Sequence, residues 1–134
     1  MKCFKLRIVN PDGERYCGEA QSIRLRTTSG DVQILAGHAD YLATLGTGCA
    51  KLILADGTER IASASGGFVS VSNSEVSVVA TTFEYASEID VKRAEAAKER
   101  AEQTIAAAKE ELEISLAKAK LARALSRLCA AKSI

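Results

Sequence analysis

Tryptophan is absent from this 134-residue chain, proline and histidine occur once each, and no glycine, proline or aromatic ring follows Tyr85. One histidine leaves no room for a histidine-rich metal centre. The four cysteines, Cys3, Cys17, Cys49 and Cys129, are widely spaced with no CxxC pair. Zinc and iron–sulfur sites need clustered thiolates, and a secreted disulfide scaffold needs regular pairs, so four reduced, mostly packed thiols are expected, with neither metal nor disulfide. Large excess charge is missing too: the net charge is +1, with 8 basic against 9 acidic residues up to Ala86 and 10 against 8 beyond it. Neither half has the basic surplus of a nucleic-acid binder. No apolar run approaches the roughly 18 residues of a membrane span, and Met1-Lys2-Cys3-Phe4 leads into alternation, not an apolar signal core. The expectation is a cytoplasmic chain that reaches a membrane only through protein contacts.

The change in composition near residue 86 marks a boundary between two kinds of structure. From Ser87 to Lys132 the chain is dominated by Ala, Glu, Lys, Leu and Arg, the residues that lose least entropy in a helix. One straight helix of that length would reach roughly 65–70 Å, far beyond the domain before it. Two stripes suit an antiparallel hairpin instead: Ala94, Ala97, Ala101, Ile105 and Ala108, then Ile114, Ala117, Leu121, Leu125 and Leu128. An alanine-lined face buries little area at roughly 25 cal/mol per Å², and no breaker residue enforces the turn near Ala108–Glu111. Such a hairpin is held shut marginally and is a candidate switch.

Before the boundary, Phe4–Ile8 and Ile23–Arg26 alternate apolar and basic residues, the period of half-buried strands. Asn10-Pro11-Asp12-Gly13, Asp56-Gly57 and Asn73-Ser74 supply turn chemistry between alternating runs. The expected fold is α+β: a β-sandwich or flattened barrel over 1–86, followed by a two-helix hairpin over 87–134. Gly30–Leu42 interrupts the hairpin rhythm and carries His38, which lacks a partnered nucleophile and reads as a loop-bonding residue. Gly46-Thr47-Gly48-Cys49-Ala50-Lys51 lacks the GxxxxGK[ST] spacing and leads into a strand, so it is not a phosphate loop.

Ser87-Glu88-Ile89-Asp90 has the form of a capping box, with Ser87 as the cap and Asp90 favouring the positive helix end. Arg93 and Arg100 are seven apart, and Arg123 and Arg127 four apart, so each pair shares a helix face. Folding the chain near Lys109–Glu110 crowds the four guanidinium groups at one end of the closed hairpin. They then either splay into water or share an anion, and helix geometry alone leaves both open. Without an anion, removing Arg127 is expected to relieve repulsion.

The order of these motifs resembles a known family. GDVQILAGHADYLATLGTG is similar to the glycine–histidine segment of the epsilon subunit of bacterial rotary ATP synthases, and Ser65-Gly66-Gly67-Phe68-Val69 resembles its SGGF strand. The chain departs from that pattern at Gln33, where a glycine is frequent, and at Ala36 and Asp40, where prolines are. The resemblance implies a ten-stranded sandwich docked on the rotor, touching the gamma subunit and the membrane rotor ring, peripheral to the cytoplasmic face of the membrane. It also implies a hairpin that opens along gamma into the catalytic head and inhibits ATP hydrolysis. Ile89-Asp90-Val91-Lys92-Arg93-Ala94 resembles the IDxxRA motif of nucleotide-binding members. By that resemblance Glu84, Asp90, Arg93, Arg100, Arg123 and Arg127 hold ATP as a regulatory ligand, with no catalytic residue, metal or required cofactor. The competing reading is a stand-alone nucleotide-sensing or coiled-coil scaffolding module.

Overall fold

The computed structural model describes residues 2–132; Ser133 and Ile134, the end of the expected tail, lie outside them. Strands β1 (Phe4–Asn10) and β2 (Gly13–Thr27) form the hairpin set by Asn10–Gly13, with Phe4, Leu6 and Ile8 turned inward on alternate positions of β1. The chain continues through β3 (Gly30–Leu35), β4 (Tyr41–Thr44), β5 (Gly48–Leu54), β6 (Glu59–Ser65), β7 (Phe68–Ser72), β8 (Glu75–Val79) and β9 (Thr82–Tyr85). Asp56-Gly57 joins β5 to β6. Asn73 and Ser74, both at positive φ, join β7 to β8, as a tight hairpin turn requires.

The sheet runs β4-β7-β8-β1-β2-β5-β6-β9, with β3 attached to β2. β1 and β8 are parallel; the other strand pairs are antiparallel. Among the described residues there are nine strands where the resemblance implied ten. The physical reason is β2, a 15-residue strand that serves two neighbours in succession: its first half pairs with β1 and its second half with β3, while β5 takes the opposite edge with a register shift between Ala20 and Ser22. Such a shift bends the strand, so the sheet folds over and encloses Ile23, Leu25, Ile34, Leu52, Val69, Val78 and Phe83. Gly67 holds φ of +85°, and a Cβ there would sit 1.8 Å from the Val79 carbonyl oxygen, so β7 can start beside β8 only from a glycine.

Gly30–Leu42 does not leave the sheet. It supplies β3 and β4, and its loop is held by His38, whose Nδ1 lies 2.7 Å from the Ala39 carbonyl oxygen and whose ring meets Tyr41 edge-on. Asp40, at a family proline position, accepts a hydrogen bond from the Asn73 amide at 3.3 Å. Thus Asp40 ties this loop to the β7–β8 turn.

After β9 comes one 3-10 turn (Ala86–Glu88), then α1 (Val91–Ala107) and α2 (Glu111–Lys132), which pack together as a hairpin. The helix starts later than Ser87. Ile89 is buried in a small cluster with Ala86 and Ala130, and Asp90 is the N-cap, its carboxylate accepting from the Arg93 amide at 3.1 Å. Glu88 is engaged elsewhere, accepting from the Tyr85 amide at 3.0 Å and pairing with Arg15. Among the described residues no helix is long and apolar enough to cross a membrane.

The second stripe differs from expectation at one position. Ala117, Ala124 and Leu128 are buried, whereas Leu125 is 45% exposed. At about 100° per residue, positions 117, 121, 124 and 128 fall on one face and Ser126 and Ala130 on the opposite one. Both faces are covered, because α2 lies between α1 and strands β5 and β6. Leu125 projects to the side between these two contacts.

Candidate functional site

The sandwich meets α2 through a row of polar side chains. Cys49 on β5 pairs in register with Ser63 on β6, and Ser63 with Glu84 on β9. Directly opposed residues of antiparallel strands point to the same face, so the three side chains form a line across the sheet. α2 lies along that line. The Ser126 hydroxyl is 2.7 Å from the Ser63 hydroxyl, both buried; the Cys49 thiol donates to the Ser126 carbonyl oxygen at 3.5 Å; and Arg127 Nε donates to Glu84 Oε1 at 2.8 Å. Two consecutive helix residues thus dock on two paired strand residues.

On the other side of Arg127 a cleft of about 830 Å³ opens between the helices. Its walls are alanines of both helices together with Leu116, and its polar groups are Arg100 from α1, Glu113, Lys120, Arg123 and Arg127 from α2, and Thr104. Four cations face one carboxylate there, in a volume within the range of small-molecule sites. Arg100 is exposed, while Arg123 and Arg127 are half-buried, which leaves their forks accessible on a partly dry surface. The Glu84 bond engages one of the five guanidinium donors of Arg127.

The structure therefore brings together Glu84, Arg100, Arg123 and Arg127, the first through its bond to Arg127 and the others as lining of one cleft. Asp90 and Arg93 stand apart from it. Asp90 caps α1, and Arg93 is exposed and outside the cleft lining. Arg127 also differs from the picture of a repelling group. Its charge is met by Glu84, so its removal takes away a contact between α2 and the sandwich.

Beside the latch formed by the Ser63–Ser126 and Glu84–Arg127 contacts is a cluster that periodicity did not single out. The Arg15 and Arg60 guanidinium groups lie over the Tyr85 ring, 5.6 and 5.5 Å from its centroid, and the Tyr85 hydroxyl donates to the Arg15 carbonyl oxygen at 3.1 Å. Hydrogen bonds from Arg15 and from the Tyr85 amide hold the Glu88 carboxyl below its usual range. The cluster pins the chain where it leaves the sandwich for α1. An aromatic residue as the last one before a ring-free stretch was the available signal.

Residues 3–86 match the family model described as the ATP synthase, Delta/Epsilon chain, beta-sandwich domain, and residues 87–132 match that family's long alpha-helix domain. The chain belongs to the ATP synthase delta/epsilon family. The ATP synthase epsilon chain of Ruminococcus albus is 42% identical over 132 residues, covering 98% of both chains. That of Bacillus velezensis is 39% identical over 128 residues, covering 96% of both. Among solved structures, a chain of the Euglena gracilis mitochondrial ATP synthase, OSCP/F1/c-ring, superposes with a TM-score of 0.79 at 22% identity, over 96% of this chain and 80% of that one. A chain of the central stalk/c-ring structure of the Tetrahymena thermophila mitochondrial enzyme gives 0.64 at 16% identity, over 95% of each. At those identities the structural likeness speaks for the fold alone. Epsilon chains are non-catalytic subunits, and this member of the family is one.

Proposed function

We propose that this epsilon chain is a central-stalk rotor subunit that joins gamma to the membrane rotor ring, at the cytoplasmic face of the membrane, and restrains ATP hydrolysis through its hairpin. Support for docking comes from the sandwich surface: Leu42 is 71% and Phe68 43% exposed, on paired strands β4 and β7 in positions that place them diagonally on one face. The Tetrahymena chain of like fold belongs to a structure described as central stalk/c-ring. In the closed hairpin α2 is held to the sandwich by the Ser63–Ser126 and Glu84–Arg127 contacts. Opening would release both and free the helices to reach along gamma toward the catalytic head.

Nucleotide control is the second part of the proposal, and the cationic cleft carries it. Arg100 on α1 and Arg123 and Arg127 on α2 share that cleft only while the helices are folded together. A polyphosphate bound there bridges the helices, and arginine suits it because the planar fork donates two hydrogen bonds at once. Glu84 orients Arg127. Asp90 and Arg93 lie outside the cleft, and their part in this reading is indirect: Asp90 caps the helix that carries Arg100. A ligand that binds only the closed form favours closure by about 2.7 kcal/mol at a hundredfold excess over Kd. ATP acts here as a regulatory ligand, and no group on the chain is assigned to its hydrolysis.

The test is titration calorimetry with ATP on the full chain, paired with copurification from native membranes. Binding that is weakened at least tenfold by Arg123→Ala, together with copurification with gamma and the catalytic subunits, is the expected result. No ATP binding would remove the nucleotide arm and leave the rotor assignment standing; failure to copurify would remove the assignment and favour the stand-alone module.

A further inference from the structure

The row across β5, β6 and β9 ends in a second pair of like residues. Cys49 sits at the β5 end, and Cys129 stands three residues beyond Ser126 on α2, one helical turn away. The Cys49 thiol donates to the Ser126 carbonyl oxygen at 3.5 Å, which brings it against the turn of α2 that carries Cys129. Both line one cleft between the sandwich and α2. Cys129 is exposed and Cys49 half-buried, so one thiol meets solvent and the other lies behind it. We propose that Cys49 and Cys129 are a redox-modification site, in which a low-molecular-weight disulfide oxidises the pair to an intramolecular disulfide that fastens α2 to the sandwich in its docked position.

The chemistry balances in two exchanges. The Cys129 thiolate attacks one sulfur of RSSR, forming a mixed disulfide and expelling RS⁻; the Cys49 thiol then gives up its proton to solvent and displaces the second RS⁻ from the Cys129 sulfur. Two protein thiols are oxidised, and one RSSR is reduced to two RSH. In the reduced chain burial is the chief reason that the Cys49 thiol is pushed up; that burial persists in the mixed disulfide, so the second step draws on a small thiolate fraction and quickens as pH rises. In a reducing cytoplasm the pair stays open, and oxidising stress closes it. The bond would span residues 49 to 129 and so connect the first part of the chain to the last turns of α2. Its formation does not depend on nucleotide binding, whereas its effect on opening rests on the hairpin reading above.

The experiment uses the full chain without ATP, reduced and then exposed to glutathione disulfide, quenched with N-ethylmaleimide, digested and analysed by mass spectrometry. A linked peptide pair joining Cys49 to Cys129 is expected, retained in Cys17→Ser and lost in both Cys49→Ala and Cys129→Ser. Amide exchange in α2 should slow at least tenfold on oxidation and recover with dithiothreitol. Glutathione on Cys129 with no linked peptides, or only intermolecular bonds through Cys17, would overturn the site. Linked peptides with unchanged exchange in α2 would overturn the lock. Because ATP is absent, neither result depends on the nucleotide reading.

Discussion

The sandwich and the hairpin bury different kinds of side chain, and that difference separates a self-supporting scaffold from a weakly held attachment. The sandwich encloses Leu6, Ile8, Ile23, Leu25, Ile34, Leu52 and Phe83, all at most 2% exposed. Each such side chain contributes roughly 1.5–3 kcal/mol on burial. Most buried hydrophobic side chains of the hairpin are alanines (Ala94, Ala101, Ala117, Ala124 and Ala130), with Leu128 the large exception. Alanine lets the axes approach but removes little apolar area from water, so the hairpin leans on a few polar contacts with the sandwich. A protein built this way can open one part without unfolding the other.

The largest effect that would sharpen the contrast belongs to the core. Ile23→Ala should lower the stability of the sandwich by roughly 2–5 kcal/mol, read as the shift in the denaturation midpoint of the strand signal. The hairpin responds to the opposite change. Ala101→Leu forces bulk into a close helix contact at a cost of roughly 1–3 kcal/mol. It should separate the helices, seen by a distance probe across the hairpin, while the strand transition stays in place. A fall in the strand midpoint as large as that of Ile23→Ala would show one cooperative unit.

A chain ending at Ala86 makes the same point by removal. It should keep a cooperative thermal transition, because the strands pair among themselves and α2 lies on the outside of the sheet, against β5, β6 and Glu84 of β9. Loss of that transition would mean that the helices belong to the core.

Arg127→Ala is expected to loosen α2 by up to about 1 kcal/mol, the range of partly exposed ion pairs, since Arg127 and Glu84 are 30% and 36% exposed. Faster amide exchange at the end of α2 is the readout, and slower exchange would mean that repulsion among the arginines outweighs the Glu84 contact. The smallest effect is that of pH. Glu88 lies below its ordinary value of 4.5, chiefly through the Arg15 hydrogen bond. Its contribution is complete above 4.5 and is lost as pH falls through the depressed value. Thermal scans from pH 6 to 3 should show this acid loss reduced in Glu88→Gln.

Much of the fold was legible because turn chemistry is local. Asn10–Gly13, Asp56-Gly57 and Asn73-Ser74 announce their hairpins within four residues, and the absence of breakers after Tyr85 announces helix. β3 and β4 were not legible because the Val32-Gln33-Ile34 alternation is only three residues long and lies among Gly30, Gly37 and His38. The cap at Asp90 was displaced from Ser87 by a tertiary event, the burial of Ile89 against Ala86 and Ala130. Of the site, the arginines could be listed from helical spacing and family resemblance. The latch could not. Ser63 and Ser126 are small and common in sequence, and Cys49 and Cys129 line one cleft only because β5 and α2 pack together.

The proposed function requires a hairpin that opens independently of the sandwich and is held closed by ATP. Native-state amide exchange on the full chain, with and without ATP, tests both parts in one measurement. The account predicts that α1 and α2 exchange at least a hundredfold faster than β1, β2 and β5, and that saturating ATP slows the helices while leaving the strands unchanged. Equal protection of helices and strands, with no response to ATP, would contradict it.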